Sequence, residues 1–312
     1  MWSRVSGRAA NAFLGAAGGI GGDFTSVLPA LPAANGADVV FSTVDTVGIP
    51  LLLLKRIRVL RRPLVYASIG LPERLAKLRN DRMRRVFRQA IASAQTVIAY
   101  AIPEAEELRK WSTNAHFVPF GVDVEAFSPA GRVAPEIDVL SVGADPLRDF
   151  ELLLAIAARR PELTFRIVTT ADRLAALGPV PQNVSTETDL PLEKVRERLM
   201  QARAVALPVR ENDYSGATTT LLQAMAMAKP VVVSRTAAIA TGYGLEDGFN
   251  CRLVPPQDAP AFERALIQVL GDDVAFGHNA RRTAERFSWT RYTDTLWKIL
   301  NAAVHEKGPD PR

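Results

Sequence analysis

Two short stretches carry residue types suited to holding a phosphorylated ligand. The first, PVRENDYSGATTTLLQAM (208–225), follows the apolar run AVALPV (204–209) and leads into a helical pattern. A turn of Ser215, Gly216, Ala217 and Thr218 at a helix start presents backbone N–H groups at the positive end of the helix dipole, which suits an anion and above all a phosphate. Such a contact is worth about 0.3–1 kcal/mol when exposed and up to about 2 kcal/mol when partly buried. Ser215 can equally act as a plain N-cap. The second stretch, VGADPLRDFELLL (142–154), ends a strand pattern at Gly143 and puts Arg148 just ahead of a helix, within reach of the same crevice. A guanidinium donates paired hydrogen bonds to phosphate oxygens, so Arg148 opposite the Gly216 turn complements a diphosphate. The competing role for Arg148 is an ion pair with Asp145 or Asp149.

The elements that position these residues alternate short β-branched runs with helical periodicity, the pattern of parallel α/β architecture. Strands are expected at 38–41, 63–68, 96–100 and 116–120, and again at 137–143, 163–170, 183–187, 204–209, 231–234 and 252–256. Met83, Val86, Phe87, Ala90, Ile91 and Ala94 make an apolar helical stripe, and Glu104 to Trp111 reads as a short helix. Later helices are expected at 150–158, 192–202, 259–270, 274–287 and 289–303. A change of texture at SPAGRVAPE (128–136) suits a linker. The expected domains are therefore 1–132 and 133–287, with a C-terminal helix and tail at 288–312. Two such domains would face each other across a cleft.

Composition narrows the class further. At 312 residues the chain is long enough for two domains, and no apolar run approaches the roughly 20 residues that span a bilayer. Arg4 and Arg8 ahead of an Ala/Gly-rich stretch weakly imitate a signal peptide, but the many glycines favour a loop or frayed helix. A single cysteine, Cys251, excludes an internal disulfide and a cysteine-cluster metal site, and makes a reducing cytoplasm the simplest location. His116, His278 and His305 match no metal or triad spacing, so no metal is expected. Residues 1–130 hold 16 Lys+Arg against 10 Asp+Glu, and the excess sits in KRIRVLRR (55–62) and KLRNDRMRRVFRQ (77–89). Either a solvated helix face or a patch for an anionic surface follows from this, such as peripheral attachment to the inner face of a membrane. Nucleic acid is not expected, since Phe87 is the only aromatic residue among those charges.

Four further motifs carry a resemblance to a family. LLQAMAMAKPVVVS (221–234) resembles the LLEAMACGKPVV signature of the GT-B glycosyltransferases of family 4, the retaining nucleotide-sugar enzymes. DGFNCRLVPPQD (247–258) resembles their dGxNGxLVPPxD loop, FGVDVEAFSP (120–129) their interdomain segment, and FSWTRY (287–292) the opening of the last helix, which crosses back to the first domain. The resemblance implies two Rossmann-like domains, the first short and on the acceptor side. It also implies donor contacts at Gly143, Arg148, Tyr214, Ser215, Gly216, Ala217, Thr218 and Gln223, with Arg148 on the diphosphate. Two glutamates of the family fall here on Ser215 and Gln223. Gln223 can still bond ribose hydroxyls, whereas Ser215 cannot supply a carboxylate; Glu211 and Asp213 in the same loop are the candidates to replace it, and Asp213 joins Arg148 as a catalytic candidate. The family's histidine after an early strand falls on Ser68, Ile69 and Gly70.

The activity implied is transfer of a sugar from a nucleoside-diphosphate sugar to a hydroxyl acceptor with retention, using no cofactor beyond the donor substrate. The alternative is an inactive GT-B relative that binds a nucleotide or a partner protein.

Overall fold

The computed structural model describes residues 2–16, 22–129, 134–271 and 273–305. The glycine-rich stretch 15–24 and the linker candidate 128–136 lie partly outside these residues. The chain divides into two compact units, Met1–Val118 with Thr293–Arg312, and Pro119–Tyr292.

The first unit begins with α1 (Trp2–Ala16) and α2 (Phe24–Gly36), then β1 (Val40–Ser42), α3 (Asp45–Arg56), β2 (Leu64–Ser68), α4 (Leu71–Ala76) and α5 (Asp81–Ala92). β3 (Thr96–Ala99), α6 (Ile102–Arg109) and β4 (Ala115–Phe117) complete it. Its sheet is parallel in the order β1-β2-β3-β4. Every residue of β2 and β3 is buried, as strands covered on both faces require. Phe87, Ala90 and Ile91 of α5 join Leu51, Leu52 and Leu54 of α3 in one core. α2 and α3 were not legible: α2 contains Pro29 and Pro32, and α3 contains Pro50, residues that ordinarily mark loops. Of the loop or frayed helix expected around Arg4 and Arg8, the structure has a helix, α1, from Trp2 to Ala16.

The second unit holds β5 (Ile137–Val142), α7 (Phe150–Arg159), β6 (Phe165–Thr169), α8 (Ala171–Leu177), β7 (Val184–Thr188), α9 (Leu192–Gln201) and β8 (Ala202–Leu207). After it come α10 (Thr218–Ala226), β9 (Val231–Ser234), α11 (Ala237–Ala240), β10 (Arg252–Val254), α12 (Ala259–Gly271) and α13 (Asp273–Ala284). A 3-10 turn at Glu285–Phe287 leads to α14 (Trp289–His305), which is grouped with the first unit from Thr293 onward. The six-stranded sheet is parallel in the order β10-β9-β8-β5-β6-β7. From β5 the chain moves out to β6 and β7, then returns to β8 and continues the other way. Loops after β5 and β8 therefore leave the sheet in opposite directions, and a crevice opens outside their carboxyl ends.

The division between units falls at Val118, ahead of the expected linker at 128–136. Segment 119–127 is held to the second unit by two backbone bonds, Val122 N to Phe287 O at 2.9 Å and Trp289 N to Val122 O at 2.8 Å. The Phe120 ring lies parallel to Tyr292 with centroids 6.2 Å apart. Gly121 is required there, because a Cβ would come within 2.7 Å of the Tyr292 Cβ. Among the described residues no helix is long and apolar enough to cross a membrane.

Candidate donor-binding site

The loops that follow β5 and β8 are laced together at the switch point. Asp149 N donates to Pro208 O at 2.9 Å and Arg210 N to Leu147 O at 2.8 Å, an antiparallel bridge that fixes Arg148 beside Val209. Arg173, at the start of α8, adds bonds from Nη1 to Pro146 O at 3.1 Å and from Nη2 to Arg148 O at 3.0 Å. The backbone around Arg148 is thus held from three sides.

The Arg148 side chain is folded over Gly143. A Cβ at residue 143 would lie 2.5 Å from Arg148 Nε, so only glycine lets the guanidinium settle there. Arg148 is 1 % exposed, and its Nε and Nη1 have no hydrogen-bond partner. Burial pushes its guanidinium down to about 10, against the opposite pull of Asp145, so it remains cationic at neutral pH. Neither ion pair suggested by the sequence takes up these N–H groups. Asp145 instead accepts from Leu147 N at 2.8 Å and from the Tyr214 hydroxyl at 2.8 Å. Asp149 caps α7 through Leu152 N at 3.3 Å. A buried cation with unspent donors is costly unless an anion satisfies it.

Tyr214 ties the second stretch to the first. Its bond to Asp145 draws the loop in until Gly216 packs on that carboxylate, where a Cβ would come 2.8 Å from Asp145 Oδ2. Gly216 N donates to Tyr214 O at 2.9 Å and Thr218 N to Ser215 O at 3.2 Å, so two of the three backbone groups expected to cradle phosphate are engaged within the turn. Ala217, the N-cap of α10, brings no side-chain cap, and the first N–H groups of α10 keep the open character of any helix start. Ser215 does not cap the helix. Its Oγ is buried without a partner, as is Asn212 Oδ1 in the same loop. Buried polar atoms without partners cost roughly 1–3 kcal/mol each, and the connections after β5 and β8 both carry them.

The remaining candidates are placed differently. Gln223 is half-buried in the middle of α10, about 7–8 Å along the helix axis from Thr218. Asp213 is exposed. Glu211 is turned away, since its Oε1 accepts from Ala237 N at 2.9 Å at the start of α11. Tyr243, which sequence reasoning missed, is fully buried; its hydroxyl accepts from Phe120 N at 3.1 Å and its ring packs on Phe287 at 5.4 Å. A buried tyrosine in TGYG has no periodic signal to announce it. Asn250 of the DGFNCRLVPP stretch is structural: its Nδ2 donates to Gly244 O and Thr283 Oγ1, both at 2.9 Å, and its Oδ1 accepts from Glu246 N at 2.8 Å.

In the first unit, the position matched to the family's histidine binds a buried carboxylate. Glu104 Oε1 accepts from Ser68 Oγ and from Gly70 N, each at 2.7 Å, while Oε2 has no partner. Burial raises this carboxyl to about 7 despite those bonds and the nearby Arg74. Among the described residues no group of three or more His, Cys, Asp or Glu side chains is placed to hold a metal ion.

A Gly216→Ala substitution tests the contact between the two stretches. The added Cβ must displace the Asp145 carboxylate or the turn, so the variant is expected to fold yet bind a nucleoside diphosphate at least ten times more weakly. Calorimetric titration reads that difference.

One unit with a parallel four-stranded sheet and one with a parallel six-stranded sheet are the two domains of the GT-B fold. Solved structures bear this out: Anabaena HepE in complex with UDP-glucose superposes with a TM-score of 0.71 at 17% identity, covering 88% of this chain and 81% of that one. The sucrose-phosphate synthase of Thermosynechococcus elongatus gives 0.71 at 20% identity over 88% of this chain and 76% of that one. Residues 142–272 match the family model Glycosyl transferases group 1. Over that stretch, less than half of its length, the chain is similar to the group 1 glycosyl transferases. It is 29% identical over 265 residues to the MMP alpha-(1->4)-mannosyltransferase of Mycolicibacterium hassiacum, covering 79% of this chain and 59% of that protein. To the D-inositol 3-phosphate glycosyltransferase of Geodermatophilus obscurus it is 26% identical over 251 residues, covering 70% of this chain and 55% of the relative. The chain thus spans less than two thirds of the length of these relatives.

Proposed function

We propose that this protein transfers a sugar from a nucleoside-diphosphate sugar to a hydroxyl acceptor, with the donor held by the second unit and retention at the transferred carbon. The observation that carries the reading is the buried, cationic Arg148 with Nε and Nη1 unpartnered beside the Gly216 turn. When the bond from the sugar's anomeric carbon to the diphosphate breaks, its electron pair remains on the phosphate oxygen. Arg148 and the start of α10 would stabilise that developing charge, in a site where the donors are already oriented. The acceptor oxygen forms the new bond, and its proton leaves to the departing diphosphate or to solvent. Gly143 lets the guanidinium approach, Tyr214 holds the loop against Asp145, Ser215 and the Ala217 backbone at the start of α10 face the phosphates, and Gln223 contacts the ribose. Asp213, exposed on the same loop, is the acidic residue assigned to the transferred sugar.

Support for a uridine donor comes from HepE, whose structure holds UDP-glucose. A thermal-shift panel of UDP, GDP, ADP and TDP is expected to give its largest stabilisation with UDP. Equal shifts from all four, or none, would remove the assignment. The cytoplasm is the proposed location, and no metal or other cofactor enters the reading.

One observation favours a second reading, nucleotide binding without turnover. Ser215 stands where the family has a glutamate, and Glu211 is committed to Ala237 N. UDP binding with no hydrolysis or transfer of UDP-sugars, unchanged in Asp213→Asn, would select it. Turnover lost in Asp213→Asn selects the transferase.

A further inference from the structure

We infer that the turn after α3, together with the outer face of α5, forms a docking surface for an anionic lipid bilayer. Three observations converge on it. Residues 55–62 carry Lys55, Arg56, Arg58, Arg61 and Arg62 with no acidic residue among them, and α5 adds Arg82, Arg85 and Arg88 on its exposed side. Within this cationic field stand two apolar side chains, Ile57 at 61% exposure and Val59 at 40%. An isolated exposed aliphatic residue is ordinary, but two of them bracketing an arginine at the tip of a turn match the depth profile of a bilayer interface. Aliphatic tips enter the acyl boundary while guanidinium groups pair with the phosphates around them.

The turn is a built structure and not a loose loop. Arg58 N donates to Lys55 O at 3.0 Å and Val59 N to Leu54 O at 2.9 Å, the paired bonds of a Schellman helix end. Its left-handed position, normally glycine, is occupied by Arg58 at φ 62°, a conformation that is strained for an L-residue. In such an end the residue in the place of Val59 usually packs back on the helix; here it is turned outward, and Leu60 is buried in its stead. Asn35 of α2 locks the tip, donating to Val59 O at 3.0 Å and accepting from Arg61 N at 2.8 Å. The two basic segments meet where Arg56 Nη2 donates to Gln89 Oε1 at 2.6 Å. Strain is thus tolerated in a fixed turn that displays Arg58 between Ile57 and Val59.

Charge complementarity selects lipid over the other polyanions. Each arginine near an anionic surface adds to the attraction, which nucleic acid would also supply. A nucleic-acid surface, however, uses aromatic rings for stacking or polar side chains for base edges, and the exposed residues between these arginines are Ile57 and Val59.

The test is sedimentation of the full chain with vesicles of phosphatidylcholine alone and with 30 mol% phosphatidylglycerol, at low salt. Binding to the anionic vesicles alone is expected, falling at least fivefold in the double variant Ile57→Ser, Val59→Ser and at least tenfold in Arg58→Gly, Arg61→Ser. UDP-induced thermal shifts should be unchanged in both, which separates loss of the surface from misfolding. Equal binding to neutral and anionic vesicles, no binding to either, or full binding by the Ile57/Val59 variant overturns the inference. So does tighter binding to a single- or double-stranded oligonucleotide than to the anionic vesicles at matched phosphate concentration.

Discussion

Replacing Arg148 with methionine is expected to leave the protein at least as thermostable as the wild type while abolishing its thermal response to UDP. In the free protein the guanidinium is fully buried with Nε and Nη1 unpartnered, so it carries a desolvation cost that the pull of Asp145 offsets only in part. Methionine fills comparable space with an unbranched, adaptable chain. Asp145 keeps its bonds from Leu147 N and Tyr214, so removing the cation does not strand that carboxylate. With UDP present the balance reverses, because two charge-assisted hydrogen bonds to phosphate are lost. That loss is about 3 kcal/mol, roughly a hundredfold in Kd. Scanning fluorimetry with and without UDP, backed by calorimetric titration, reads both halves. A marked drop in Tm with the UDP shift preserved would show that Arg148 is structural and that the diphosphate lies elsewhere.

The contrast between Arg148 and Ser215 shows what the sequence made legible. A strand followed by glycine and, five residues on, an arginine before a helix is a local pattern, and it survives folding because all three lie on one connection. All ten strands were likewise visible as short β-branched runs, and eight helices or helix starts along the chain followed from local pattern. What escaped depended on partners distant in sequence. Tyr214 is 69 residues from the Asp145 carboxylate that fixes it, and Glu211 is drawn to Ala237 N, 26 residues away. No spacing rule inside the loop distinguishes Glu211 from Asp213, yet the structure turns the first toward α11 and leaves the second exposed on the loop. Proline concealed α2 and α3 for the opposite reason: the local signal was strong, and packing overrode it. Val27 and Phe24 of α2 and Leu51, Leu52 and Leu54 of α3 are buried in the same core, enough apolar burial to hold helices whose own propensity is poor.

Glu104 offers the second large effect, and its sign is unusual for a carboxylate. Most acidic residues stabilise a fold as pH rises, because their folded pKa is depressed. Here burial raises the carboxyl from 4.5 to about 7, so the folded state holds a proton that the unfolded chain has already released. Stability is therefore fully present below about pH 4.5 and declines as pH rises to about 7, by a total of about 3 kcal/mol. The groups around it cannot cancel this. Ser68 Oγ and Gly70 N both serve Oε1, Oε2 has no partner, and Tyr66 is a buried neutral phenol whose own ionisation burial pushes upward. Arg74 is the one nearby cation acting on it, and it is shared with Asp45. Glu104→Gln keeps an acceptor for Ser68 and Gly70 but cannot ionise. Its unfolding free energy, measured by urea titration at half-unit steps from pH 4.5 to 8, is expected to fall less steeply than that of the wild type. The difference between the two curves should open across pH 4.5–7 and stay level above it. Parallel curves would mean that Glu104 titrates at its ordinary value and that the turn between β2 and α4 is open to water.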